Sequence, residues 1–146
     1  MSNKTNLFTF LLRMTLAATY ISAYSSRINL FGGHPDGWQH FLDYAGEVNS
    51  YAPDVIKPLL AFIATALEIS ISLLLMAGYK TKPVATVSGI LTFLFAGAMT
   101  YSFGIKEPLD YGVFVNFTAA FLLATLPADS WSLDHYLTHR TSISRS

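Results

Sequence analysis

The chain has 146 residues, enough for one domain, of which 52% are hydrophobic and only 12% charged, with no formal net charge. Because a soluble domain carries about 25% charged residues, this composition indicates a membrane protein. Nucleic-acid binding is not expected, since neutralising phosphates requires clustered Lys and Arg. The lack of cysteine excludes thiolate catalysis, iron–sulfur clusters and cysteine-ligated haem.

Four apolar segments are long enough to cross a hydrocarbon core of roughly 30 Å, which takes about 20 residues. They lie at about residues 7–26, 58–78, 83–103 and 111–126, and the last is the shortest. Lys4 before an apolar run resembles a secretory signal, but Arg13 interrupts that run, so we expect a retained membrane helix. The predicted fold is all-α: a single-domain, integral membrane four-helix bundle.

The long connection after the first span contains a different kind of helix. Trp38, Phe41 and Leu42 recur at helical spacing, and Asp43 and Glu47 lie on the opposite face. We therefore predict an amphipathic helix in the first extracytoplasmic loop, which lies in the membrane interface or caps the bundle. Its apolar side chains should face the bundle or lipid, and its two acidic side chains should face water.

The orientation of the bundle follows from the charges in its loops. With four spans both termini share one side, which holds five basic and two acidic residues, a net charge of +3. The other side holds three basic and six acidic residues, a net charge of −3. We predict a multi-pass protein of the bacterial inner (cytoplasmic) membrane with both termini cytoplasmic. The residues counted on the terminal side are Lys4, Lys80, Lys82, Arg140 and Arg145 against Asp129 and Asp134.

Two charged residues, Arg13 and Glu68, fall inside predicted spans, where a charge such as that of Arg costs at least about 2.5 kcal/mol on insertion scales. Counted from the cytoplasmic ends of their helices, they lie about 9 Å and 15 Å deep at roughly 1.5 Å per residue. A long arginine side chain can bridge that difference, so we predict a buried Arg13–Glu68 pair. It would either anchor a polar ligand, a proton relay or a quinone head group, or only fix the register of two helices.

Further polar side chains are expected near this pair. Thr65 and Ser72 share the helix face of the glutamate, Tyr20 shares the face of Arg13, and Asn116 adds a polar group to the fourth span. The alternative is interhelical hydrogen bonding, at about 0.6 kcal/mol per contact, which is favoured for Thr65, Ser72 and Asn116. The candidate ligand-binding residues are Arg13, Glu68, Tyr20, Thr65 and Asn116.

All four histidines lie outside the predicted spans, so a bis-histidine haem within the membrane is not expected. His135 and His139 have the spacing of a metal pair, but the sequence near them offers no third ligand, and no metal site is predicted. No catalytic residue can be identified.

Several segments together resemble one known family. They are Leu11–Leu16 around Arg13, Ser22-Ala23 with Ser26-Arg27, Leu67-Glu68 followed by Gly78 and Lys80-Thr81, and the loop Gly104–Tyr111. In order and spacing they resemble the DoxX family of small four-helix membrane proteins over most of the chain. Ser72 departs from the pattern, which has glycine four residues after the glutamate. The family takes its name from membrane subunits associated with quinone-linked thiosulfate oxidation, so the resemblance implies a quinone-linked or redox-complex role.

These observations support one main functional hypothesis and two alternatives. The main one is an accessory subunit of a quinone-linked or other redox membrane complex, binding a small lipophilic ligand near a buried Arg/Glu pair. The alternatives are a non-catalytic scaffold or assembly protein and a small proton-coupled transporter. Quinone is the possible cofactor, and the expected partners are the lipid bilayer and either other membrane proteins or a second copy of the chain.

Overall fold

The computed structural model describes residues 2–28, 30 and 36–143, with side chains as far as residue 138. His139, Arg140 and Arg145, which entered the sequence arguments, therefore have no described side chain. Over the described ranges the chain is helical and contains no strand, which confirms the all-α prediction. The helices are α1 (Asn3–Ser25), α2 (Gly37–Val48), α3 (Lys57–Ala77), α4 (Thr81–Phe103), α5 (Lys106–Asp110), α6 (Val113–Thr125) and α7 (Leu133–Ile143).

The length of the helices and their apolar surface identify the chain as a membrane protein. Three helices, α1, α3 and α4, have 23, 21 and 23 residues and are apolar enough to cross a bilayer. Large apolar side chains point outward, such as Phe62, Phe93 and Val115, which are 63%, 57% and 69% exposed. A surface of this kind is stable against lipid but not against water.

The fourth apolar helix, α6, has 13 residues and rises only about 20 Å. Each extended residue after α6 adds at most about 3.3 Å to the length of this crossing. They lead to the end of the bundle where α1 begins, because the Ser130 amide donates to Asn6 Oδ1 at 2.8 Å. At the same end the Asp134 amide donates to the Gly78 carbonyl at 2.9 Å. The chain therefore returns along α6 to the end of the bundle at which α1 and α7 begin. This end also holds the turn between α3 and α4 and is called the turn end below.

The amphipathic helix predicted in the first loop is α2, which packs against α3 and α4 at the opposite end of the bundle, here called the α2 end. Phe41 and Leu42 are partly buried, and Trp38 is 37% exposed. Asp43 and Glu47 are exposed, as their spacing predicts. The helix thus covers the bundle with its apolar face.

The larger of two core clusters lies towards the turn end, and a smaller one around Val48, Met99 and Val113 lies at the α2 end. The larger cluster includes Leu16, Ala17, Ile71, Leu75, Ala85 and Leu123. Ser72, which stands where the family pattern has glycine, is fully buried, and its Oγ donates to the Ile69 carbonyl at 2.8 Å. Its hydroxyl is therefore satisfied within its own helix, and α3 keeps its place in the core.

Candidate ligand-binding site

Arg13 pairs with Asp129 and not with Glu68, so the predicted Arg13–Glu68 pair is wrong. The guanidinium Nε donates to Asp129 Oδ2 at 2.9 Å, and Nη2 donates to Oδ1 at 3.2 Å. The two side chains are 0% and 1% exposed. A two-point contact between a guanidinium and a carboxylate, shielded from water, is the strong geometry for such a pair.

The remaining donors of Arg13 reach the end of α3. Its Nη1 donates to the carbonyls of Leu75 and Met76, the latter at 2.8 Å, and Nη2 lies 3.5 Å from the Trp131 carbonyl. Carbonyls in the last turn of a helix lack intrahelical partners, and a positive charge there is favourable. Arg13 therefore ties α1 to the end of α3 and to the segment after α6.

A second acidic residue completes the turn end. The Asp134 carboxylate accepts from the backbone amides of Lys80 and Thr81, both at 2.7 Å, where α4 begins with unpaired amides. Gly78 in the preceding turn has a φ of +65°, and a Cβ there would lie 2.5 Å from that of Ser132. These contacts, together with the Arg13–Asp129 pair, are called the turn-end lock below.

The wrong pairing has a geometric reason. Arg13 is level with Leu75 and Met76, about seven residues or roughly 10 Å along α3 from Glu68. The depths counted from the predicted ends of the spans underestimated the distance between the two side chains along the bundle axis. Asp129, counted from the sequence among the loop charges, instead returns into the bundle with the extended segment after α6.

The partner of Glu68 is Arg27, in the turn after α1. Arg27 Nη1 donates to Glu68 Oε2 at 2.5 Å and to Thr65 Oγ1 at 2.6 Å, and Nη2 donates to Oε1 at 3.3 Å. The side chains of Arg27 and Glu68 are 9% and 4% exposed. The Phe41 ring of α2 covers the guanidinium, with its centroid 3.5 Å from Cζ, in a cation–π contact. The chain therefore does contain a buried Arg/Glu pair, with a different arginine.

This pair lies in the wall of a cavity of about 490 Å³. The cavity is lined by α1, α3, α4 and α6 and is covered at one end by α2. Among the described residues that line it, Arg27 and Glu68 carry the only formal charges. Most of the wall is apolar and includes Leu60, Ala64, Leu67, Leu91, Phe95 and Met99.

Several neutral polar side chains also line the cavity, and three of them, Tyr20, Tyr44 and Asn116, lie on different helices. The Tyr20 hydroxyl bonds to Ser88 Oγ and Thr92 Oγ1, both at 2.7 Å, and is therefore fully engaged. Burial, together with nearby acidic and phenolic groups, raises the pKa of Tyr44 on α2, so its hydroxyl stays neutral. The Asn116 amide makes no side-chain hydrogen bond to any residue that the structure describes. An amide that lines a cavity without a partner can donate to or accept from a ligand.

The cavity reaches the lipid-facing surface between α3 and α4. Ile63 of α3 and Leu94 of α4 line the cavity and are also 45% and 60% exposed. In a membrane such exposed apolar side chains contact acyl chains. This side of the cavity therefore adjoins the bilayer.

The structure thus brings together three of the five candidate residues, Glu68, Tyr20 and Asn116, around one cavity. Thr65 accepts a hydrogen bond from Arg27 and so helps to position the Arg27–Glu68 pair. Arg13 lies at the turn end, outside the described lining.

Sequence reasoning missed Arg27, because it follows the first span and was counted as a loop charge. Its position two residues past the end of α1 is a usable signal. A long basic side chain there can turn back into the bundle towards a buried acid.

These features define the class of the protein: it is a multi-pass helical membrane protein with a buried ion pair in the wall of an apolar cavity. A family model described as DoxX matches residues 8–103. The chain belongs to the DoxX family. The match covers Arg13, Arg27 and Glu68 and ends before Asn116 and Asp129. No curated protein and no solved structure matches the chain significantly.

Proposed function

We propose that this protein binds a small lipophilic, quinone-like ligand in the cavity, with the Arg27–Glu68 pair as its polar anchor. The observation that carries the proposal is the position of that pair: a buried charged group forms part of the wall of an apolar space open to lipid. Ionisable groups inside a membrane are costly and face functional cavities or partners. In this role the protein is an accessory subunit of a quinone-linked or other redox membrane complex.

The size of the cavity favours binding over a purely structural pair. Ligand sites have volumes of about 300–1,000 Å³, and the cavity of about 490 Å³ falls within that range. Protein interiors are otherwise close-packed, with few voids larger than a water molecule. The Arg13–Asp129 pair shows the alternative, because its donors and acceptors are satisfied by surrounding protein groups.

A quinone would fit the donors at this wall. It would supply the redox chemistry itself, and the chain would bind and orient it. The Asn116 amide can donate to a ring carbonyl, and the apolar wall accommodates the ring and the start of its tail. The rest of the tail would lie among lipids on the side of the cavity where Ile63 and Leu94 are exposed.

Binding of decyl-ubiquinone to the purified protein in a non-ionic detergent tests this proposal. We expect saturable binding by calorimetry, and at least about tenfold weaker binding for Ala64→Phe, since the added ring fills the cavity. Ala66→Phe is the matched control, because Ala66 is exposed on the same helix and its ring would face lipid. Binding that is absent, or equal in the two variants, would refute the cavity as the site.

The orientation of the bundle can be measured separately. The loop charges predict that both termini are cytoplasmic and that α2 lies on the outer side. Reporter fusions at Ser146 and within residues 33–36 should therefore report opposite sides of the membrane. If both fusions reported the same side, the proposed topology would be wrong.

A further inference from the structure

We infer that the cavity selects ligands with an electrically neutral head group and excludes acids such as fatty-acid anions, with Glu68 as the specificity-determining residue. The inference rests on the proposed function and deepens it by naming the class of head group. Its basis is that the positive charge beside the cavity is already neutralised by a built-in carboxylate.

Glu68 already occupies one of the two edges at which the Arg27 guanidinium can hold a carboxylate by two hydrogen bonds. Both η nitrogens of Arg27 donate to Glu68, in the two-point geometry that a ligand carboxylate would need. Nη1 also donates to Thr65, and the Phe41 ring covers a face of the guanidinium. An incoming carboxylate would have to displace Glu68 from this edge, or take the edge formed by Nε and Nη2 beside a carboxylate that already neutralises the charge.

The charge balance of the wall leads to the same conclusion. Arg27 and Glu68 cancel, and the other described lining residues carry no formal charge. An anion entering the cavity would leave water, gain no net opposite charge, and lie close to the Glu68 carboxylate at low dielectric. A neutral head group avoids this repulsion and can use the Asn116 amide, which has no other described hydrogen-bond partner.

The selection has physical consequences because of where the cavity opens. Ile63 and Leu94 line the cavity and face the bilayer, where fatty acids and neutral lipids share the same tail chemistry. The tail therefore cannot discriminate between them. Discrimination has to come from the head group, and the Glu68 carboxylate occupies the position that an acid would take.

Decanamide and decanoate provide a matched test, because they have the same tail and heads of similar shape but different charge. At about pH 8 the acid is ionised. We expect the wild-type protein in non-ionic detergent to bind decanamide at least about tenfold more tightly than decanoate. Glu68→Gln frees Arg27, so its affinity for decanoate should rise by at least about tenfold. The control is Glu47→Gln, an exposed acid on α2, which should leave both affinities unchanged.

The outcomes separate this inference from the proposed function. Equal or tighter binding of decanoate by the wild-type protein, or binding of neither probe, overturns head-group selection. Decyl-ubiquinone binding by the same sample reports independently on the proposed function. If Glu68→Gln does not fold, head-group selection is tested by the ratio of decanamide to decanoate affinity in the wild-type protein and in Asn116→Leu. The Asn116→Leu variant should bind decanamide more weakly, and its ratio should therefore be smaller.

Discussion

Replacing Arg13 with methionine should reduce the free energy of unfolding by about 3–5 kcal/mol, because it leaves the Asp129 carboxylate buried without its counter-charge. Asp129→Asn should cost a similar amount, since the guanidinium then stays buried with only neutral partners. The measurement is reversible unfolding, or thermal stability where unfolding is irreversible, of the purified protein in detergent.

The double variant distinguishes a true pair from two independent residues. If the charges stabilise each other, the combined loss should be smaller than the sum of the single losses by about 1–3 kcal/mol. Lys106→Met with Asp110→Asn provides the control, because that pair is exposed and each change should leave the stability nearly unchanged. Strictly additive losses for Arg13 and Asp129 would mean that the lock does not depend on their pairing.

Gly78→Ala should destabilise the protein by about 2–5 kcal/mol, the sum of two costs. An alanine at a φ of +65° pays about 1–2 kcal/mol for the left-handed backbone. Its Cβ would also lie 2.7 Å from the Ser132 Cα, and relieving such overpacking costs about 1–3 kcal/mol. Because Ser132 belongs to the segment that carries Asp129, the lock would have to shift.

Gly112→Ala separates the two costs. Gly112 has the same φ of +65°, but nothing lies within 4 Å of the position of its Cβ. This variant should therefore lose only the backbone contribution of about 1–2 kcal/mol. The difference between the stability losses of the two variants measures the cost of the close contact between residue 78 and Ser132 alone. Equal losses would show that the turn at Gly78 does not pack tightly against the segment after α6.

The turn-end lock and the cavity divide the bundle into two halves with different roles. At the turn end, Arg13, Asp129 and Asp134 join three parts of the chain and satisfy helix-terminal carbonyls and amides. At the α2 end lies the cavity, and Arg27–Glu68 is the one charged pair among its described lining residues. The turn end thus joins the helices through an ion pair and backbone caps, and the α2 end contains the proposed ligand site.

The sequence by itself determined the class of protein and most of its helices. Charge depletion and long apolar runs identify membrane spans because insertion depends on the summed transfer free energy of each segment, which needs no tertiary information. The helix α2 was predictable for a similar reason, since its apolar face repeats with the helical period. Glu68, Tyr20 and Asn116 could be identified as candidates because polar groups within apolar runs are costly.

Only the tertiary structure decided which charges pair. Arg13 and Arg27 could each reach a buried acid, and the choice depends on the register between antiparallel helices and on where the chain turns back. The extended segment after α6 places Asp129 beside Arg13, and the turn after α1 places Arg27 beside Glu68. Sequence periodicity fixes the face of a helix on which a side chain lies, but an ion pair is formed by atoms within about 4 Å. A shift of two helical turns, about 11 Å, leaves that face nearly unchanged and exchanges every partner.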